Sequence, residues 1–132
     1  MPNAVLTDLA KAIEGLFYSS ESDEPFELLD WVKESGPMDQ GRILRLGRLP
    51  PSTHVEIHSV EEFFQELTKP EDWHGDPEKE AVRKYRKLVE VISRGLTVPK
   101  VFRAGKVKVD IFIVGKCVDG GWAGVKTRAV ET

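Results

Sequence analysis

Apolar and polar residues alternate most regularly towards the end of the chain. The alternating apolar positions are Val107, Val109, Ile111 and Ile113, separated by Lys108, Asp110 and Phe112. A period of two indicates a half-buried strand with one face towards the core. Asp119-Gly120-Gly121 predicts a tight turn, because glycine tolerates positive φ. The return strand, Trp122 to Val130, then puts four residues on one face, namely Ala123, Val125, Thr127 and Ala129.

The sequence ends two residues after this predicted hairpin, at Glu131 and Thr132. Chain ends usually fray unless an element ties them down. Because the core should hold the return strand, we expect the sheet to place the final residue.

Helical spacing of apolar residues marks residues 3–17 and residues 76–94. The apolar stripe of the first segment comprises Val5, Leu6, Leu9, Ile13, Leu16 and Phe17. In the second segment Asp76 is the predicted N-cap, Pro77 occupies the first helical position and Gly95 is the stop. Both segments are therefore predicted to be amphipathic helices.

Other segments carry weaker patterns. Ser59 and Glu62 fit a capping box, which predicts a shorter helix that ends near Thr68. Residues 26–32 favour a strand, because aromatic and β-branched residues stand at their ends. Residues 18–25 combine serines and acids with a closing proline and predict a loop.

Residues 42–58 have the least regular pattern. Their first apolar group, Ile43, Leu44 and Leu46, fits either a short strand or a turn of helix. Residues 53–58 alternate and predict a strand with Val55 and Ile57 inward. Residues 99–103 predict a further strand before the hairpin.

This order of elements predicts one α+β domain over residues 1–132. Strands joined by short turns make a largely antiparallel sheet. Helices from several parts of the chain can cover both faces of that sheet.

Composition narrows the function classes. The chain has 132 residues, of which 40% are hydrophobic and 31% charged, as in a soluble globular domain. No apolar run could span a bilayer, and the N-terminus lacks the features of a signal peptide, so we expect the cytoplasm. A net charge of -3 argues against nucleic-acid binding and is compatible with a basic protein partner.

Candidate catalytic chemistry is sparse. His54 and His58 have metal-ligand spacing only on a helix, and a strand holds such residues too far apart, so surface histidines are favoured. Cys117 is the single cysteine and has no CxxC partner, which favours a structural role. The serines at 19, 20 and 22 fit no nucleophile motif. We therefore expect no catalytic residues, no cofactor and no metal site of its own.

Two features suit a binding protein. Glu21, Asp23 and Glu24 form an acidic cluster, which either is merely solvated or meets a cation or basic partner. Trp73 lies on a loop between Pro70 and Gly75, where it either fills its own core or forms an exposed hot spot.

Several separated motifs resemble the nuclease A inhibitor family, small proteins that block sugar-non-specific, magnesium-dependent nucleases. The motifs are SESDEPFELLDW (Ser20–Trp31), TKPEDW (Thr68–Trp73), KYRKLVEVI (Lys84–Ile92), VKVDIFIVG (Val107–Gly115) and GGWAGVKTRAVET (Gly120–Thr132). They cover most of the chain in the family's order, but not residues 34–58. The resemblance implies a three-layer α-β-α sandwich similar to the pathogenesis-related-1-like (PR-1-like) fold.

The resemblance also implies site residues. Glu21 and Thr132 match the positions that reach the catalytic metal region of the nuclease. Glu71, Asp72 and Trp73 match the family's interface loop, with Glu71 where the family can have a neutral glutamine. That extra charge either helps against a basic rim or lowers affinity if it is buried unpaired.

The acidic neighbours Asp23, Glu24 and Glu131 complete the expected contact surface. The implied partner is a sugar-non-specific metal-dependent nuclease, bound by a protein that is a monomer when free. One alternative is an adaptor or small-ligand domain that kept the fold and built a new site within residues 34–58. A metal-dependent hydrolase that uses His54 and His58 ranks last.

Overall fold

The computed structural model describes residues 4–118 and 120–131. The helices of this described part are α1 (Ala4–Ala12), α2 (Gln40–Leu46), α3 (Val60–Phe64) and α4 (Asp76–Gly95). Its strands are β1 (Phe17–Ser19), β2 (Asp23–Pro25), β3 (Glu27–Trp31), β4 (Val55–Ser59), β5 (Thr97–Ala104), β6 (Lys108–Lys116) and β7 (Trp122–Val130). The predicted α+β class is therefore confirmed. None of the helices in the described ranges is both long and apolar enough to cross a membrane.

The main sheet has five antiparallel strands in the order β3-β7-β6-β5-β4. The predicted hairpin forms its centre, with Ile113 opposite Val125 in the β6–β7 register. The inward face predicted for β7 is also confirmed, since alternate residues from Ala123 to Ala129 are buried. The predicted antiparallel sheet is therefore correct.

Strand β6 is buried on both faces, so the prediction of a half-buried strand is wrong. Ile111 and Ile113 belong to one apolar cluster, whereas Phe112 and Val114 belong to a second. The two clusters use alternate residues of one strand and hence lie on opposite faces of the sheet. Val107, predicted as an inward residue, precedes the strand and is 55% exposed.

The first face of the sheet is covered mainly by α1 and α4. Leu9 of α1 and Leu88 and Ile92 of α4 are fully buried in the cluster that includes Ile111. Helix α1 ends at Ala12, earlier than predicted. The N-cap of α4 is Gly75 rather than the predicted Asp76, because Gly75 has an extended backbone and Asp76 is already helical. The Glu78 carboxylate accepts the Gly75 N–H at 3.1 Å.

The second face carries α2, which resolves the open choice within residues 42–58 in favour of a helix. Asp39 caps α2 by accepting the Arg42 N–H at 2.9 Å. Ile43 and Leu44 are buried in the cluster that contains Phe112. The three-layer sandwich and the likeness to the PR-1-like fold stay predictions.

Strand β4 forms as predicted, and Val55 packs against the second apolar cluster, but Ile57 is less buried than expected. Ile57 lies opposite Phe102 on the face that carries α2, and its side chain is 46% exposed. It lines an open groove beside the start of α2 and lies on an edge strand that this short helix does not cover. The expectation that Ile57 is buried in the core is therefore wrong, because this position of the edge strand is left open.

Candidate protein-interaction surface

The acidic segment after α1 is a small hairpin, so the prediction of a loop for residues 18–25 is wrong. Strands β1 and β2 pair antiparallel, with Ser19 opposite Asp23. The Ser19 hydroxyl donates to Asp23 Oδ1 at 2.7 Å, and the Ser22 hydroxyl donates to Glu24 Oε1 at 3.2 Å. Serines of the hairpin therefore orient two of its carboxylates. The sequence pattern indicated that these residues are polar but not that they bond to one another.

The tip of this hairpin is attached to the end of β7. The Glu21 N–H donates to the Val130 carbonyl oxygen at 3.1 Å, and the Val130 N–H donates to the Ser20 hydroxyl oxygen at 3.0 Å. Glu21 itself is exposed. The predicted partner of this arrangement, Thr132, lies outside the described residues, so the closeness of Glu21 and Thr132 stays a prediction.

Two distant side chains fix the base of the hairpin. The Thr127 hydroxyl on β7 donates to the Pro25 carbonyl oxygen at 3.1 Å, and the Tyr85 hydroxyl on α4 donates to the Phe17 carbonyl oxygen. Burial raises the pKa of the Tyr85 phenol, which keeps it protonated as a donor. Sequence analysis placed Thr127 only on one face of the return strand and Tyr85 only within the predicted helix 76–94, because nothing in the local pattern reveals a contact so far along the chain.

Glu131 is held from two sides. Its N–H donates to the Val107 carbonyl oxygen at 2.8 Å, and its carboxylate pairs with the Arg103 guanidinium on β5. Arg103 was missed by sequence analysis, since a charged residue in a strand gives no sign of its partner. The Glu131 carboxylate thus fixes the last described residue of the chain to the sheet.

The loop before α4 presents Trp73 to solvent. His74 N–H donates to the Glu71 carbonyl oxygen at 3.1 Å, and Glu71 N–H donates to His74 Nδ1 at 3.2 Å. These two bonds close a turn with Asp72 and Trp73 at its tip. Trp73 is 73% exposed and touches the His74 ring edge-on, with 4.4 Å between ring centroids. The alternative in which Trp73 fills the core is therefore excluded.

The start of α4 lies between the acidic hairpin and the Trp73 loop. Pro77 in its first turn lines the same cavity of about 380 Å³ as Ser19 and Asp23 of the acidic hairpin. The Arg86 guanidinium also donates to the Thr68 carbonyl oxygen at 3.0 Å, which ties the beginning of the Trp73 loop to α4. The Trp73 loop therefore enters its helix beside the acidic hairpin.

The predicted surface histidines flank a single carboxylate. Glu56 lies 3.2 Å from His58 and 3.4 Å from His54, measured between ring nitrogen and carboxylate oxygen. Hydrogen bonds from His58 and then His54 lower the pKa of Glu56. Among the described residues, no group of three or more His, Cys, Asp or Glu side chains could hold a metal ion. Cys117 is buried.

A comparison with known protein families shows the family to which the chain belongs. The model of the family described as nuclease A inhibitor-like protein matches residues 3–132. The chain belongs to this family. The match includes residues 34–58, which the motifs had left uncovered. No curated protein matches the chain.

Family membership gives the surface a chemical interpretation. An inhibitor-like protein needs groups that a partner can contact, and the described residues offer the exposed Glu21 and Asp23 of the acidic hairpin and the exposed Asp72 and Trp73 of the loop before α4. Carboxylates attract a basic surface at long range, and a large exposed aromatic ring supplies contact area. The arrangement therefore suits protein recognition.

Proposed function

We propose that the protein inhibits a sugar-non-specific, metal-dependent endonuclease by placing the acidic hairpin tip and the C-terminal residue in its catalytic cleft. The observation that carries this proposal is the hydrogen bond from Glu21 to Val130. It couples an exposed carboxylate to the strand that leads to Thr132. Family membership supports an inhibitor but names no target.

The chemistry of the partner explains why carboxylates would serve. A nuclease without sequence preference binds the phosphodiester backbone, so its cleft is cationic and holds a divalent metal ion. The Glu21 carboxylate and the terminal carboxylate of Thr132 would imitate that anion without offering a bond to cleave. The hairpin is already hydrogen-bonded to β7, so little conformational entropy is lost on binding.

The Trp73 loop would add the apolar part of the contact. Trp73 is exposed on a turn that His74 closes, and tryptophan is among the residues most enriched at binding hot spots. Glu71 is half-buried, whereas Asp72 is exposed. We therefore assign Asp72 and Trp73 to the contact and Glu71 to its rim.

The remaining expectations belong to the same proposal. The protein would act as a monomer in the cytoplasm, without catalysis, without a cofactor and without binding nucleic acid. Its described helices lie on both faces of one antiparallel sheet, which supports the expected α-β-α sandwich.

The direct test is titration of a purified sugar-non-specific, magnesium-dependent nuclease with the protein. DNA and RNA cleavage should both fall, and the loss should be complete near one inhibitor per nuclease. Parallel assays at a higher magnesium concentration separate inhibition from metal depletion. Undiminished cleavage at excess protein, across several such nucleases, would exclude the proposal.

A further inference from the structure

A second feature lies on the other face of the sheet, under the segment that precedes α2. Residues 36–38 cover a cavity of about 490 Å³ at one end of β5, β6 and β7. Phe102 and Val114 form its floor, and both are buried in the second apolar cluster. Met38 and Trp122 line it as well. The cavity is therefore mostly apolar and falls within the usual size range of small-ligand sites, roughly 300–1,000 Å³.

The wall of the cavity is fixed by hydrogen bonds. Trp122 Nε1 donates to the Gly36 carbonyl oxygen at 2.9 Å. The Arg42 guanidinium donates to the Pro37 carbonyl oxygen at 3.0 Å and to the Ser35 carbonyl oxygen, and it pairs with Glu34. These contacts hold the segment over the sheet, so the site is preformed and ligand binding would not have to order it.

Backbone strain occurs at the rim of the same cavity. Val98 has a φ of 46° although it is β-branched and precedes Pro99, and both properties disfavour that conformation. Its side chain is 69% exposed and lines the cavity. Residues held in such strained conformations cluster at ligand-binding positions. An exposed apolar side chain held in this conformation thus suits a binding role.

The charges at the rim have one sign. Lys100 and Lys116 line the cavity, and among the described residues no carboxylate does. Within the described part of the chain, neither lysine forms an ion pair. This positive rim occurs on a protein whose net charge is -3. It therefore favours a ligand with a negative group next to an apolar body.

We propose that this cavity binds a small organic anion, with an aromatic or aliphatic body on Phe102 and Val114 and its carboxylate, sulfonate or phosphate group between Lys100 and Lys116. The site lies apart from the acidic hairpin. Trp122 and Val130 are the two ends of nine-residue β7, roughly 26 Å apart at the usual rise per residue. The proposal is independent of nuclease inhibition.

The first experiment uses a matched pair of fluorescent dyes. The sulfonated dye 8-anilinonaphthalene-1-sulfonate and its neutral analogue N-phenyl-1-naphthylamine share their rings and differ in the charged group. We expect saturable binding of one sulfonated dye per chain, about tenfold tighter than the neutral analogue, which corresponds to about 1.4 kcal/mol. Equal affinity of the two dyes would contradict the anionic part of the proposal.

Variants at the lysines test the charge directly. Lys100→Met combined with Lys116→Met should remove most of the preference for the sulfonated dye and leave affinity for the neutral dye within about twofold. Lys106→Met combined with Lys108→Met is the matched control, because it removes the same two charges from exposed positions at the opposite end of β6 that do not line this cavity. An equal effect of the control would show that only net charge matters.

A blocking variant tests the cavity itself. Thr97 is exposed on the rim, so Thr97→Trp should fill the space without disturbing the core, and both dyes should lose binding. The melting temperature without dye should stay within about 2 °C of the wild-type value. Unchanged dye affinity in this folded variant would show that the dyes bind outside this cavity, which would contradict the proposed site. Nuclease inhibition should be unaffected by Thr97→Trp, so the two proposals fail separately.

Discussion

The backbone N–H of Glu21 donates to the carbonyl oxygen of Val130 at 3.1 Å. This bond joins the tip of the acidic hairpin to the end of β7. The Ser20 hydroxyl returns a second bond by accepting the Val130 N–H. Two segments far apart in sequence thus meet at the end of β7.

Replacement of Glu21 tests the charge at the hairpin tip. Glu21→Gln keeps the shape of the side chain and removes its charge, so inhibition should weaken, more at low salt than at high salt. The inhibition constant should be measured at several salt concentrations. Glu90→Gln is the matched control, because it makes the same charge change in an exposed residue of α4 far from the helix start. Equal effects of both changes would show that inhibition depends on the net charge of the protein and not on the position of Glu21.

Removal of Thr132 tests the position of the chain end. Deletion moves the terminal carboxylate back by roughly 3.3 Å along an extended chain, beyond the tolerance of a charge-assisted contact. Inhibition should fall while the melting temperature is kept, because Glu131 retains its bonds to Val107 and Arg103. A tag fused after Thr132 should have the same effect. Full inhibition by both forms would refute a role for the terminus.

Ser20→Ala tests the attachment of the hairpin to β7. It removes the acceptor of the Val130 N–H, whose loss should cost about 1 kcal/mol. Hydrogen exchange at Val130 should accelerate, and inhibition should weaken because the tip is less well held. Ser52→Ala, at an exposed loop position, provides the control. Faster exchange at Val130 with unchanged inhibition would show that inhibition does not need the attachment of the hairpin to β7.

Trp73→Ala tests the second part of the proposed contact. Truncation of a hot-spot residue weakens binding by about 2 kcal/mol or more. Stability should change little, because Trp73 is 73% exposed. Calorimetric titration with the nuclease measures the first quantity and thermal unfolding the second. Unchanged affinity in the variant would remove Trp73 from the interface.

Val98→Gly tests the strain beside the cavity. Glycine adopts positive φ without a steric penalty, so it should recover about 1–3 kcal/mol of strain against about 0.5–1 kcal/mol of added chain entropy. We expect a small gain in the free energy of unfolding, measured by urea denaturation. Neutral dye should bind more weakly, because an apolar side chain is lost from the rim. A clear loss of stability would show that Val98 is not strained.

Much of the fold could be predicted because local patterns determine it. The β6–β7 hairpin follows from alternation interrupted by Gly120-Gly121, and both helix α4 and its start follow closely from Asp76-Pro77. The family motifs also indicate the residues of the proposed contact surface. These features depend on neighbours within a few residues, which a sequence displays directly.

The predictions that were wrong depend on distant contacts. The segment from Tyr18 to Pro25 contains no alternation that separates a hairpin from a loop, and its order comes from Tyr85, Thr127 and Val130. Likewise, β6 has an apolar residue on each face, but only the position of α2 shows that both faces are buried. Such contacts join segments whose separation along the chain carries no periodic signal.

The sequence by itself determined the element types at the centre of the sheet, the α+β class and the family. The tertiary structure alone decided that Trp73 faces solvent, that the tip of the acidic hairpin meets the end of β7, and that residues 36–38 cover a cavity with a positive rim. The physical reason is that periodicity records which side of an element is buried. Which elements meet is set by packing and hydrogen bonds between residues remote in sequence.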